Sequence, residues 1–194
     1  YSQMSKADLL AKKQELDKTF AELKEMNLKL DMSRGKPGAD QLALSMDMLT
    51  EIKTPDDCIA SNGFDCRNYG ELGGLPECKA LFSEVLGVPA ENIVVGGNSS
   101  LNLMFDYIAQ CMTKGVAGNT PWMLQDGVKF ICNVPGYDRH FTICEHFGIE
   151  MINVEMTENG PDVEKIRELV KDPKVKGMFC VPKYSNPDGI TYSD

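Results

Sequence analysis

Several things are scarce in this sequence, and each scarcity narrows what the chain can be. Histidine occurs twice and tryptophan once in 194 residues. Seven cysteines stand at positions 58, 66, 78, 111, 132, 144 and 180, but no C-x-x-C pair exists. An odd count without paired spacing argues against a zinc site or a disulfide framework. It suits a reducing, cytoplasmic setting in which the thiols act as small core residues. No apolar run approaches the roughly 20 residues of a membrane-spanning helix. The opening YSQMSKADLLAKKQ lacks the apolar core of a secretion signal. Basic charge is also short, with 20 Lys and Arg against 29 Asp and Glu and a net charge of −9. Nucleic acid is therefore a poor partner, because a phosphate backbone needs a basic face. A small anionic ligand stays open, since it needs only a local donor site.

What is present is the balance of a globular chain: 42% hydrophobic and 25% charged residues, enough for one domain or one and a fraction. Ser5 followed by Asp8 reads as a helix N-cap. Leu9, Leu16, Phe20 and Leu23 then recur at helical spacing, which predicts a helix over about 6–27. Gly35, Pro37 and Gly38 make the next stretch a loop, and a short helix follows over 46–52. Pro76 and Gly87 bracket another helix. From there strand and helix alternate: strands at 93–95, 129–134, 150–155 and 176–181, with helices at 99–113, up to 147, and 162–171 between them. This predicts an α/β fold with a mainly parallel sheet and helices on both faces. Ligands of such sheets bind at the carboxyl ends of the strands, so the loops just after each strand matter most.

Three loops qualify. Gly96-Gly97-Asn98-Ser99-Ser100 joins a strand to a helix start, where free N–H groups and the helix dipole favour an anion. It matches neither G-x-G-x-x-G nor the P-loop pattern, so nucleotide binding is not favoured. Pro135-Gly136-Tyr137-Asp138-Arg139-His140 puts an aromatic ring after the next strand. Ser185-Asn186-Pro187-Asp188-Gly189 puts a side-chain amide after the last one. Taken singly, each is ordinary cap or turn chemistry. Taken together they offer an anion cradle, an aromatic platform and an amide donor, the set that a planar heteroaromatic phosphate such as pyridoxal phosphate would use.

The sequence resembles the N-terminal half of the fold-type-I pyridoxal-phosphate enzymes of the class I aminotransferase family, in its aspartate aminotransferase group. SRGKPGADQLALS, NYGELGGLPECKALFSEVLG, GGNSSL and YSNPDG carry the resemblance, which covers nearly the whole chain. It implies residues 1–50 as a helix and loop of the small domain or arm, and 51–194 as the first half of the large cofactor domain. It implies that Gly35 lies against the substrate carboxylate, and that Tyr69 reaches the cofactor phosphate of a neighbouring subunit in a homodimer. Gly97, Asn98 and Ser99 would cradle the phosphate and Tyr137 would stack on the pyridine ring. His140 would orient the aspartate bonded to the ring nitrogen, and Asn186 would meet the phenolic oxygen. The substrates implied are an amino acid, aspartate among them, and a 2-oxo acid.

The family's ring-nitrogen aspartate, a tyrosine, the Schiff-base lysine, the phosphate arginine and the substrate-carboxylate arginine match nothing in this sequence. Lys183, near the expected site, does not match that lysine. The expectation is an enzyme as the full-length protein, with these 194 residues alone inactive. Two alternatives stay open: a non-catalytic α/β module for a small phosphate, and another pyridoxal-phosphate enzyme, such as a lyase or decarboxylase, on the same fold.

Overall fold

The structure, a computed structural model, describes residues 1–31, 33 and 35–193. It divides into two compact units: Tyr1–Ile59 with Gly63–Arg67, and Ala60–Asn62 with the chain from Asn68 on.

In the first unit, α1 spans Lys6–Glu25 and α2 spans Ala39–Ala43, followed by 3-10 helices at Met46–Thr50 and Pro55–Cys58. Ser5 caps α1, its hydroxyl accepting from the Asp8 N–H at 3.2 Å. No described residue of this unit is buried. The periodic residues Leu9, Leu16, Phe20 and Leu23 are all exposed.

The second unit holds α3 (Pro76–Leu86), α4 (Ser100–Thr113), β1 (Lys129–Val134), α5 (Asp138–His146), β2 (Glu150–Thr157), β3 (Gly160–Pro161), α6 (Val163–Leu169) and β4 (Val175–Phe179). Gly87 ends α3 in the left-handed conformation expected of a C-terminal glycine. The sheet runs β3-β2-β1-β4, with β1 parallel to both β2 and β4 and the short β3 antiparallel to β2. Strand β1 is central and buried over its inner four residues, which explains the apolar run Phe130-Ile131-Cys132 and leaves Asn133 as a buried amide. Phe130 packs with Ile108 of α4 and with Ile143 and Cys144 of α5 in the main core. Burying a side chain such as Ile108 contributes about 1.5–3 kcal/mol. Three cysteines, Cys111, Cys132 and Cys144, are core residues. Burial pushes the Cys111 thiol up, and Cys132, hydrogen-bonded to Cys144 and buried, is raised as well. All seven cysteines are free thiols.

One expected strand is absent. Ile93-Val94-Val95 forms no ladder: Val94 is exposed, and Val95 makes a single backbone bond, its N–H donating to the Gly73 carbonyl at 3.0 Å. β-Branched residues fit a strand only where a partner edge lies alongside. Here β1 is paired on both sides, and the run instead packs on Gly74, whose φ of +96° lets it approach the Val95 side chain.

Candidate functional site

The loop before α4 is built for approach to its backbone. Ser99 is the N-cap, and its Oγ accepts from the Asn102 N–H at 3.4 Å. A hydroxyl that accepts one bond still has its own proton to donate. Gly97 and Asn98 are exposed, and no atom lies within 4 Å of where a Cβ on Gly97 would stand. Among the described residues no group accepts from the N–H of Gly97, Asn98 or Ser99. The first turn of α4 adds N–H groups that have no intrahelical acceptor. Gly96, by contrast, is closed in by Leu103.

The first turns of α4 and α5 lie together. A cleft of about 240 Å³ is lined by Leu101, Asn102 and Phe105 of α4 and by Arg139, Thr142 and Ile143 of α5. The loops that lead into the two helices therefore open at the same end of the pair.

At the end of β1 the chain turns through Pro135 and Gly136 into α5, with Tyr137 at its N-cap. Tyr137 is half-buried and sits edge-on to His140, ring centroids 5.3 Å apart. His140 is buried and also touches the Phe179 ring at 5.2 Å. Burial holds its pKa below the ordinary imidazole value, so the ring is neutral at pH 7.

After β4 the chain closes a tight loop. The Ser185 N–H donates to the Ile190 carbonyl, the Gly189 N–H to the Ser185 carbonyl, and the Tyr192 N–H to the Pro182 carbonyl. Gly189 has a φ of +71°. The loop leaves the Asn186 side chain without a partner among the described residues. Both Val134-Pro135 and Asn186-Pro187 are cis.

The ends of β1 and β4 meet around a cavity of about 20 Å³ whose walls include Tyr137, His140 and Asn186. Three residues singled out from two distant loops thus share one site. Gly97, Asn98 and Ser99 do not line that cavity, and neither does the exposed Lys183. Tyr69 is 98% exposed, and Gly35 is exposed in the first unit. Sequence reasoning missed Asn133, Phe179, Ser185 and Tyr192, which line the same cavity. Burial pushes the Tyr192 phenol up, so it stays protonated. Asn133 carried a usable signal, since it is a lone amide inside an otherwise buried strand.

Known proteins resemble this chain over nearly its whole length. The family model described as aspartate amino-transferase matches residues 2–194. An aspartate aminotransferase of Corynebacterium glutamicum is 47% identical over 182 residues, 93% of this chain and 42% of that protein. The crystal structure of an aspartate transaminase from the same organism superimposes with a TM-score of 0.85 at 44% identity, covering 98% of this chain and 45% of that one. A structure from Corynebacterium diphtheriae gives 0.83 at 52% identity, covering 93% of this chain and 44% of that one. The chain spans less than half the length of these relatives. It belongs to the aspartate aminotransferase family.

Proposed function

We propose that this chain is the cofactor-positioning part of a pyridoxal-phosphate-dependent aminotransferase that moves an amino group between an amino acid, aspartate foremost, and a 2-oxo acid. The observation that carries the reading is the convergence of Tyr137, His140 and Asn186 on one cavity from the ends of β1 and β4. On this reading residues 1–50 belong to the small domain and 51–194 to the large one. Unpaired thiols throughout the chain support a cytosolic setting.

The residues fit the cofactor. The open backbone at Gly97 and Asn98, with the Ser99 hydroxyl, suits a phosphate at a helix start. The half-buried Tyr137 ring suits a flat heterocycle, and the unpartnered Asn186 amide suits its phenolic oxygen. When bound, pyridoxal phosphate supplies an electron sink for the α-carbon of the amino acid. The chain's own residues bind and orient. Gly97, Asn98 and Ser99 would hold the phosphate, Tyr137 would bind the ring, and Asn186 would orient it through the phenolic oxygen. Neutral His140 offers one nitrogen donor and one acceptor behind Tyr137. The family resemblance would set Gly35 against the substrate carboxylate and the fully exposed Tyr69 on the phosphate held by a second copy in a homodimer. Fixing geometry in this way removes orientational entropy from the reaction. The lysine for covalent capture is not among these residues.

The test is a titration of the 194-residue chain with pyridoxal phosphate. Saturable binding is expected, weakened in Asn186→Ala, with no borohydride-reducible adduct and no turnover of aspartate with 2-oxoglutarate. Turnover by the chain alone would refute the positioning role. Binding of inorganic phosphate at equal strength, with no effect of Asn186→Ala, would favour the non-catalytic phosphate module.

A further inference from the structure

We infer that Asn133 and Ser185 together hold one buried water that fastens the turn carrying Asn186 to the end of β1, and that both are positioning residues. The positioning half of this inference rests on the function proposed above; the water does not.

The orientation of the Asn133 amide is fixed by its neighbours. Its Nδ2 donates to the Phe179 carbonyl at 3.4 Å and to the Tyr192 hydroxyl at 3.5 Å. Flipping the amide would set Oδ1 against the Phe179 carbonyl, two acceptors face to face. Oδ1 therefore points the other way, and there it is buried and no group among the described residues donates to it. Ser185 has the complementary need. Its backbone N–H and carbonyl are both used within its own loop, while its Oγ is buried with no partner among the described residues. The two residues are only 6% and 8% exposed, and both line the same cavity.

Buried polar atoms of this kind are nearly always satisfied, by protein or by ordered water. The cavity measures about 20 Å³. One water needs about 10–15 Å³ and at least two polar partners. The space itself is too small for a phosphate or a ring; the cofactor proposed above would lie outside it, against the half-buried Tyr137 and the exposed Asn186. A cation is disfavoured, because no carboxylate among the described residues lines the cavity and His140 is neutral. The ligand must donate to Oδ1 and exchange a hydrogen bond with Oγ, and water does both. Ser185 directly precedes Asn186, so anchoring its hydroxyl to β1 sets where the Asn186 amide stands.

Two measurements decide the matter. In a crystal structure of the 194-residue chain, a single density peak is expected within about 2.7–3.2 Å of both Asn133 Oδ1 and Ser185 Oγ. A dry cavity, or Oγ bonded directly to Oδ1, would overturn the water. The second measurement is a cycle of cofactor affinities. Ser185→Ala should weaken pyridoxal phosphate by about tenfold, and by nothing further in an Asn186→Ala background, since Ser185 acts through Asn186. Additive losses would mean a merely structural serine and sink the positioning role. If the unmodified chain binds no pyridoxal phosphate, the proposed function and the positioning role fall together. The density peak still decides the water.

Discussion

Gly136 has no room for a side chain: a Cβ there would press on the Asn133 carbonyl and come within 2.9 Å of the Phe141 ring. Gly136→Ala must shift the end of β1 or that ring, at a cost of about 1–3 kcal/mol. A lowered urea midpoint is the expected outcome, with weaker cofactor binding because Tyr137 comes next in the chain. His140 gives the site a pH dependence. Its folded pKa lies below the ordinary 6.5, with burial as the cause. Below that value the unfolded chain takes up a proton that the folded chain resists, so stability falls as pH drops from about 6.5 toward 5. Above pH 7 the ring is neutral in both states and adds no slope. Asp57 and Asp172, held below the usual carboxylate value by backbone N–H donors, lose their contribution only in more acid solution. Urea midpoints measured between pH 7 and 5 should show the fall, and His140→Phe should flatten it; an unchanged slope would remove His140 as its source. At this scale Tyr137, His140 and Asn186 were legible because each follows a strand, where ligands of α/β sheets bind. Ser185 was not, because its importance lies in what fails to reach it once β1 and β4 are side by side, and no local pattern encodes that; Asn133 left only the trace of a lone amide in an apolar strand.

On the function proposed above, the helix start at Ser99 ties stability to ligand binding at the scale of an element. Its Oγ caps α4 through the Asn102 N–H. Ser99→Ala should destabilise the chain by about 0.5–2 kcal/mol and also weaken phosphate binding. Ser99→Asp separates the two effects, because a carboxylate caps a helix well but repels a phosphate. Its melting temperature should stay near that of the unmodified chain while calorimetric titration with pyridoxal phosphate shows lost affinity. Retained affinity in Ser99→Asp would move the phosphate away from this loop. Helix boundaries such as Ser5, Pro76, Ser99 and Gly87 could be read from the sequence because caps and stops are local chemistry. The run at 93–95 could not, because a strand exists only with a neighbour, and here the Val95 N–H finds Gly73 instead of a ladder. The two-residue β3 was invisible for the same reason: its pairing with β2 depends on the turn at 157–160, where Thr157 donates to the Gly160 carbonyl at 2.7 Å.

Across the whole molecule, apolar burial is uneven. Every buried hydrophobic residue belongs to the second unit, while Leu9, Leu16, Phe20 and Leu23 of α1 are 39–68% exposed. In the second unit Val94 is 78% exposed, and β4 is paired only with β1 among the described strands, which leaves its outer edge open. An unpaired strand edge and a stripe of exposed leucines both favour association. The exposed Tyr69, proposed above to reach a second copy's phosphate, would add a specific reason for two chains to meet. Sedimentation velocity at rising concentration should therefore return a mean mass that climbs above the 21.5 kDa of one chain. If the association is the productive dimer, pyridoxal phosphate should strengthen it, and Tyr69→Phe should remove that strengthening while leaving the urea midpoint unchanged, because Tyr69 touches little of its own chain. A concentration-independent monomer that unfolds in one cooperative step would count against the shared site and in favour of a self-sufficient phosphate-binding module.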